Sequence, residues 1–128
     1  MEEEMDPNME EPDGDTFTVN SIQGLSQKGP YLIGSTITIL ELENDLSPTG
    51  RSFTENITNN LGSFEISNLT LASSFVELRA SGFYFNEITG ENSQAQLNLS
   101  ALVDLTNQSS INVNLLTTLE KNLSLIHI

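Results

Sequence analysis

Apolar and polar residues alternate with a period of two along most of this chain, which is typical of strands with one buried face. The longest such run, AQLNLSALVDL, places apolar residues at every second position: Leu97, Leu99, Ala101, Val103 and Leu105. After the turn sequence TNQSS the alternation resumes with Ile111, Val113 and Leu115. Two alternating runs joined by a short polar turn predict a β-hairpin.

Shorter alternating runs precede this pair. GSFEIS predicts that Phe64 and Ile66 are buried, and SFVELRA places Val76, Leu78 and Ala80 inward. In STITILELE the apolar residues change face after Ile39, which indicates a bulge or a strand end. Seven or eight short strands with turn signals every eight to twelve residues predict an all-β, antiparallel sandwich over residues 16–116.

The C-terminal residues have a different pattern. Thr117 and Glu120 fit a capping box, and Leu119, Leu123 and Ile126 follow at helical spacing. Residues 117–128 are therefore predicted to begin a helix. So short a helix is marginal in water by itself. The end either frays against the sandwich or begins a longer helix in a longer polypeptide; we favour the second interpretation.

Negative charge is concentrated at the N-terminus. The formal net charge is -14, and eight of the eighteen acidic residues lie within residues 1–15, which contain no basic residue. Such a segment cannot bury enough apolar surface to offset its ordering entropy, so we predict a disordered acidic tail or linker. Only four basic residues are present in the whole chain, which argues against binding to nucleic acid or to anionic lipid.

Targeting signals are not visible in the sequence. No apolar run is long enough to span a bilayer, so we expect no direct membrane insertion, and the acidic N-terminus does not fit a signal peptide. The chain contains no cysteine, which suits an intracellular protein and also an exported domain without disulfides. The compartment therefore stays open on composition alone.

Three segments between Lys28 and Tyr84 resemble a carboxypeptidase-regulatory-like (transthyretin-like) domain. KGPYLIGSTITI resembles the entry into the family's G-A-x-V-x-V strand, with Gly34 in place and Ser35 where Ala is usual. TNNLGSFEISNL resembles T-D-x-x-G-x-F-x-I-x-x-L, with Asn59 replacing Asp, and FVELRASGFY resembles Y-x-L-x-V-x-A-x-G-Y. The resemblance covers under half of the chain and implies a transthyretin-like or immunoglobulin-like sandwich.

The remainder is similar to a domain near the N-terminus of Bacteroidetes-type cell-surface lipoproteins, in which a VNLLT strand leads into a helix. This chain differs in having no lipid-accepting cysteine and in ending soon after the helix begins. The resemblance implies an exported, extracellular protein at the bacterial cell surface.

The residues that carry the first resemblance are structural by type. Gly62 is expected to adopt a positive φ or to meet a neighbouring backbone, and Gly82 to mark a bend before Phe83. Together with Gly34, Phe64 and Ile66 they form a scaffold signature. None of these residues is a nucleophile, an acid, a base or a metal ligand, so we expect no enzyme activity.

Candidate chemistry elsewhere is sparse. His127 is the only histidine and lies at the end of the chain, and with no cysteine a zinc site is not expected. Glu41 and Glu43 are interpreted as a solvated strand face that discourages aggregation, in preference to a glycosidase pair. The oxygen-rich DPNMEEPDGDT lacks the spacing of an EF-hand loop, so no dedicated metal site or cofactor is predicted.

Two tyrosines are the candidate ligand contacts. Tyr31 and Tyr84 offer rings that can stack on a sugar or a peptide, although packing in the core or at its rim is favoured for both. A Lys28 isopeptide with Asn112 or Asn114, assisted by Glu77, is a further and weaker hypothesis.

These observations favour a non-enzymatic structural, adhesive or spacer module of a bacterial cell-surface protein, with an unknown protein or glycan partner. The alternatives are an accessory sandwich domain of a larger enzyme such as a carboxypeptidase, and a carbohydrate-binding module.

Overall fold

The computed structural model describes residues 16–106 and 108–126. The acidic segment 1–15 and His127 lie outside the described residues. The elements in chain order are β1 (Phe17–Gln27), β2 (Thr36–Leu42), β3 (Pro48–Asn56), β4 (Ser63–Leu71), β5 (Phe75–Gly82), β6 (Phe85–Asn86), β7 (Glu91–Asn92), β8 (Leu97–Asp104), β9 (Ser110–Asn114) and α1 (Leu115–Ile126).

Seven of these strands form a β-sandwich, which confirms the predicted all-β class. One sheet has the order β4-β1-β9 and the other has the order β3-β2-β5-β8, while β6 and β7 form a small separate ribbon. The order differs from that of an immunoglobulin constant domain, whose sheets are ABED and CFG. The sandwich is not wholly antiparallel, because β9 runs parallel to β1.

The predicted hairpin of β8 and β9 is wrong. Strand β8 pairs with β5 and β9 pairs with β1, so the chain crosses from one sheet to the other between Asp104 and Ser110. Alternation identified the buried faces of both strands, but it does not specify which strand is the hydrogen-bonding neighbour. Leu115 was predicted to extend β9; it instead begins α1 and is exposed.

The core lies between the two sheets and contains most of the predicted inward residues, while Leu97 and Val103 are only partly buried. Phe64 and Ile66 are buried, as are residues from both layers: Val19, Ile22, Ile37, Ile39, Val76, Leu78, Ala80, Leu99, Ala101 and Val113. The predicted bulge is confirmed, because the β2–β3 register shifts between Leu40 and Leu42.

Strands β1 and β4 change their buried face together, which the sequence pattern did not predict. On β1, the buried residues Val19 and Ile22 are three positions apart instead of two, so the buried face changes between them. The same change occurs on β4 between Ile66 and Leu69. The change on β4 occurs at Asn68, whose φ is 54°. Asparagine tolerates this left-handed conformation better than most residues, so the face changes without a glycine.

The helix is capped one turn earlier than predicted. The Thr117 N–H donates to Asn114 Oδ1 at 2.9 Å, and the Asn114 N–H donates to Thr117 Oγ1 at 2.8 Å. This reciprocal pair is a capping box formed by Asn114 and Thr117, rather than by Thr117 and Glu120. Asparagine is among the preferred N-cap residues, so the helix begins at Leu115.

Helix α1 packs on the sandwich through its polar face. Thr117 Oγ1 donates to the Ser100 carbonyl at 2.8 Å, and the Ser100 N–H donates to Thr118 Oγ1 at 2.8 Å. Ser100 lies on β8, the edge strand of the larger sheet, where backbone groups have no strand partner. The helix therefore covers the backbone N–H and C=O groups of Ser100, and four of its leucines face outward: Leu115, Leu116, Leu119 and Leu123.

Candidate functional site

A surface groove lies where β2 begins and β5 ends. It has a volume of about 530 Å³ and is lined by residues 32–36, by residues 81–83, and by Asn92, Ser93 and Gln96 from the segment around β7. A second depression of about 440 Å³ shares Asn92, Ser93 and Gln96 with it and extends to Tyr84. We call the first of these the neutral groove and the second the adjoining depression.

The walls of the neutral groove are fixed by hydrogen bonds. The Phe83 carbonyl accepts from the Leu32 N–H at 3.0 Å and from Ser35 Oγ at 3.3 Å. On the opposite wall, the Ser93 N–H donates to the Tyr84 carbonyl at 2.7 Å, and the Tyr84 N–H donates to Ser93 Oγ at 3.1 Å. The groove is therefore pre-formed, which lowers the entropic cost of binding a ligand.

Gly82 shapes the floor of the groove. A side-chain Cβ at this position would collide with Ser35 and would lie 2.9 Å from the Ser35 Cα. The sequence suggested that Gly82 marks a bend, whereas the structure shows that it allows β5 to approach Ser35 closely. Gly34 has a φ of 95° with open space beside it, so its role is conformational.

Gly62 holds the neighbouring β3–β4 connection against β1. Its φ is 78°, and a Cβ here would collide with the Ser26 carbonyl oxygen. Both features predicted for Gly62, a positive φ and a close backbone approach, are confirmed. The Gly62 carbonyl also accepts from the Ser26 N–H at 2.8 Å, so this glycine is a scaffold residue.

None of the eleven described residues that line the neutral groove is charged. The described part of the chain nevertheless contains ten acidic and four basic residues, a formal charge of -6. Within residues 16–106 and 108–126, the side-chain amides of Asn92 and Gln96 make no hydrogen bond to protein, and both residues are exposed. These amides are free donors and acceptors beside an apolar ring, since Phe83 is 40% exposed.

The two tyrosines named as candidate contacts occupy different positions. Tyr31 is completely buried and donates its hydroxyl to the Leu97 carbonyl at 2.7 Å, so it is a core residue and cannot contact a ligand as placed. Burial, reinforced by Tyr84, raises the pKa of Tyr31 well above its ordinary value of 10.0. Tyr84 is half-buried and lines the adjoining depression, with its ring centroid 6.5 Å from that of Tyr31.

Lys28 lies against Tyr84 rather than in an isopeptide site. Its Nζ donates to Tyr84 Oη at 3.3 Å and lies 5.1 Å from the ring centroid, a cation–π geometry. Lys28 lines a surface depression with Asn112 and Asn114, but Glu77 is engaged elsewhere. The structure therefore does not assemble the helper acid with the Lys28 and asparagine pair.

Glu41 is a buried structural carboxylate, which corrects its assignment to a solvated strand face. It is 1% exposed, whereas Glu43 lies in the following turn and is exposed. Its carboxylate accepts from the Ala72 N–H at 2.6 Å, the Ser73 N–H at 3.2 Å and Thr49 Oγ1 at 2.7 Å. Burial acts to raise the pKa of Glu41, but these hydrogen bonds and Arg51 outweigh it and hold the pKa below its usual range.

Glu77 fastens α1 to the larger sheet. Its carboxylate lies 2.8 Å from Arg79 Nε and 3.2 Å from Lys121 Nζ on the helix. Burial again acts to raise the pKa of Glu77, and the hydrogen bonds and charges of Arg79 and Lys121 lower it overall. Because Glu77 alternates with the inward Val76 and Leu78, it lies on the outer face of the sheet, where it is 7% exposed and contacts Lys121 of the helix.

No group of three or more His, Cys, Asp or Glu side chains within residues 16–106 and 108–126 is arranged to hold a metal ion. No described helix is long and apolar enough to cross a membrane.

Sequence reasoning missed the residues that form the neutral groove. Phe83 follows β5, whereas Asn92 and Gln96 belong to the segment around β7, and no spacing motif links the two places. The available signal was compositional, because the stretch ENSQAQ before β8 is rich in amides and follows the aromatic residues 83–85 after a gap of five residues. Comparisons with protein-family models, curated proteins and solved structures find no match to this chain.

Proposed function

We propose that this chain is a non-enzymatic structural, adhesive or spacer module of a bacterial cell-surface protein. One observation carries the proposal: the buried ionisable side chains Glu41, Glu77 and Tyr31 are all engaged in structural contacts, while the polar side chains that line the neutral groove carry only amides and hydroxyls. Such a distribution suits binding or spacing, because acid–base chemistry needs a titratable group that can reach a substrate.

The cell-surface part of the proposal rests on the sequence resemblance described above and on the acidic segment 1–15. A run of like charges extends by self-repulsion and suits a tether between a membrane anchor and a folded module. The compact sandwich of residues 16–106 and 108–126 provides the module that such a tether would carry.

Surface labelling of intact source cells tests this proposal. An antibody raised against the folded residues 16–126 should bind intact cells, and added protease should remove its epitope without lysis. A cytoplasmic protein probed in parallel should be protected from the protease. If the epitope is protected until lysis, the module is not exposed at the cell surface and the proposed function is wrong.

The outward leucines of α1 favour a second candidate, an accessory sandwich domain of a larger enzyme. Leu115, Leu116, Leu119 and Leu123 are each about half exposed or more on one short helix. Exposed apolar clusters mark surfaces that contact another domain or protein. Sequencing the source locus beyond both ends of this reading frame separates the two candidates. An adjoining catalytic domain favours the accessory role, whereas an export signal with a lipid-accepting cysteine favours the surface module.

A further inference from the structure

We infer that the neutral groove binds an uncharged oligosaccharide, with Phe83, Asn92 and Gln96 as its principal contacts. The inference deepens the proposed function and rests on it, since a surface module with such a site would be adhesive rather than only a spacer. Tyr31 is not among these contacts, because its ring is buried.

The chemistry of the lining selects the class of ligand. Sugar hydroxyls both donate and accept hydrogen bonds, and the amides of Asn92 and Gln96 offer both functions with no partner among the described residues. The C–H face of a pyranose ring is apolar, and Phe83 offers an exposed ring beside these amides. A volume of about 530 Å³ lies within the ordinary range for small-ligand sites, roughly 300–1,000 Å³.

Charge excludes anionic ligands. The lining of the neutral groove contains no charged residue among those described, and the chain has a formal net charge of -14. A uronate, sulfate or phosphate group would meet no cation in the groove and would be repelled by the surrounding protein. The ligand is therefore a neutral glycan rather than an acidic one.

A peptide is a poorer occupant on geometric grounds. Peptides that bind sheets usually add a strand to a free edge and pair with its backbone. The β8 edge beside the groove is covered at Ser100 by Thr117 and Thr118. The β6–β7 ribbon provides only two residues per strand, which is too short to guide an added strand.

The adjoining depression gives the site room for more than one sugar unit. It shares Asn92, Ser93 and Gln96 with the neutral groove and is lined at its far side by Tyr84. Phe83 and Tyr84 are consecutive residues, and each lines a different one of the two depressions. A chain of sugars that passes over residues 92–96 would therefore meet Phe83 on one side and, on the other, the half-buried Tyr84, whose ring also contacts Lys28.

Calorimetric titration of the full chain with defined oligosaccharides tests the inference. The panel contains neutral β-glucan, xylan, mannan and α-glucan oligosaccharides, with oligogalacturonate as an acidic counterpart and an uncharged Gly-Ser peptide as a non-sugar ligand. At least one neutral sugar should bind, and neither of the other two probes should bind measurably.

Matched variants locate the binding site. Gln96→Ala should weaken binding roughly 3–10-fold through a lost hydrogen bond, and Phe83→Ala roughly tenfold or more. Gln23→Ala and Leu61→Ala are the controls, since both residues are exposed and neither lines the groove. Neither control should change the affinity, and circular dichroism should show all four variants folded.

Three results would overturn the inference. The first is that no neutral sugar binds at millimolar concentration. The second is that a neutral sugar binds but Gln96→Ala and Phe83→Ala leave its affinity unchanged. The third is that the chain prefers the oligogalacturonate or the peptide. If intact cells still expose the module, such a result removes the neutral-glycan site and leaves the proposed surface module standing. Protection of the epitope on intact cells instead removes the proposed function, whatever the titration shows.

Discussion

Replacement of Glu41 by leucine should remove a large part of the stability of the sandwich. Glu41 lies on β2, and its carboxylate binds two backbone N–H groups in the β4–β5 connection, those of Ala72 and Ser73. Leucine fills a similar volume but accepts no hydrogen bond. Each donor left without its partner costs about 1–3 kcal/mol when it is buried, so Glu41→Leu should cost about 2–4 kcal/mol because both donors are only partly shielded.

Glutamine at the same position separates shape from charge. Its carbonyl oxygen can still accept from Ala72 and Ser73, and its amide can donate to Thr49 Oγ1. Only the strengthening of these bonds by the negative charge is lost, so Glu41→Gln should cost about 1–2 kcal/mol. Arg51 adds little to this loss, because it lies 3.8 Å from the carboxylate and its side chain is 49% exposed.

Urea denaturation followed by circular dichroism measures both variants, with Glu43→Gln as the exposed control. A domain of this size has an m-value of about 1–3 kcal/mol per molar urea, so Glu41→Leu should lower the midpoint by roughly 1–3 M. Glu43→Gln should leave the midpoint within the error of the measurement. A Glu41→Leu midpoint equal to that of the wild type would refute the structural role assigned to this carboxylate.

The stability of the wild type should fall at acid pH for the same reason. The pKa values of Glu41 and Glu77 are lowered in the folded state from the ordinary value of 4.5. Their contribution is therefore complete above about pH 4.5 and is lost as the pH falls through the lower, folded-state values. Glu41→Gln should show a smaller loss over that range than the wild type, and an equal loss in both proteins would contradict the assignment.

Four further substitutions concern single side chains. Lys121→Met should lower the free energy of unfolding by about 1 kcal/mol, because Glu77 loses a partly buried partner. Leu119→Gln should change it by less than about 0.5 kcal/mol, since that leucine faces outward. If urea denaturation shows a larger loss for Leu119→Gln than for Lys121→Met, α1 packs through its apolar face. Ser26→Ala should be neutral or stabilising by up to about 1 kcal/mol, because the buried Ser26 hydroxyl has no hydrogen-bond partner among the described residues; a clear loss of stability would reveal a partner, such as a bound water. Tyr31→Phe should cost about 1–2 kcal/mol by leaving the Leu97 carbonyl without its donor, and a melting temperature equal to that of the wild type would show that this hydrogen bond contributes nothing.

Periodicity predicted most of the buried faces and little of the strand pairing. Leu99, Ala101 and Val113 are inward as predicted, because alternation reports directly which side of a strand meets the core. The partners of β8 and β9 could not be obtained in this way. Pairing depends on where each strand lies after the connection crosses between sheets, and a short polar turn suits a hairpin and a crossover equally well.

The helix shows a second limit of pattern reasoning. Leucines at helical spacing normally mark the face that packs on the protein, but here the helix covers a strand edge. What an edge offers is backbone N–H and C=O groups, and Thr117 and Thr118 satisfy them. The inward face of α1 is therefore polar, and the outward position of Leu119 and Leu123 follows from it.

The candidate site was the least predictable part of the molecule. Tyr31 was named because tyrosine is a common ligand contact, but its position relative to the core depends on the loop that carries it. Phe83, Asn92 and Gln96 meet only because β5 ends beside the segment that follows β7. Residue type alone identifies side chains that are able to bind a ligand, and only their positions in the fold show which of them are exposed in the groove.

The most direct measurement of the central claim is a two-dimensional amide NMR titration of the full chain with neutral oligosaccharides. The side-chain amide resonances of Asn92 and Gln96 and the backbone resonances of residues 81–83 should shift together and saturate. The side-chain amide of Gln23, on the other sheet, should not move. Shifts that are absent, or that cluster outside the neutral groove, would contradict the account of this chain as a module that binds through that groove.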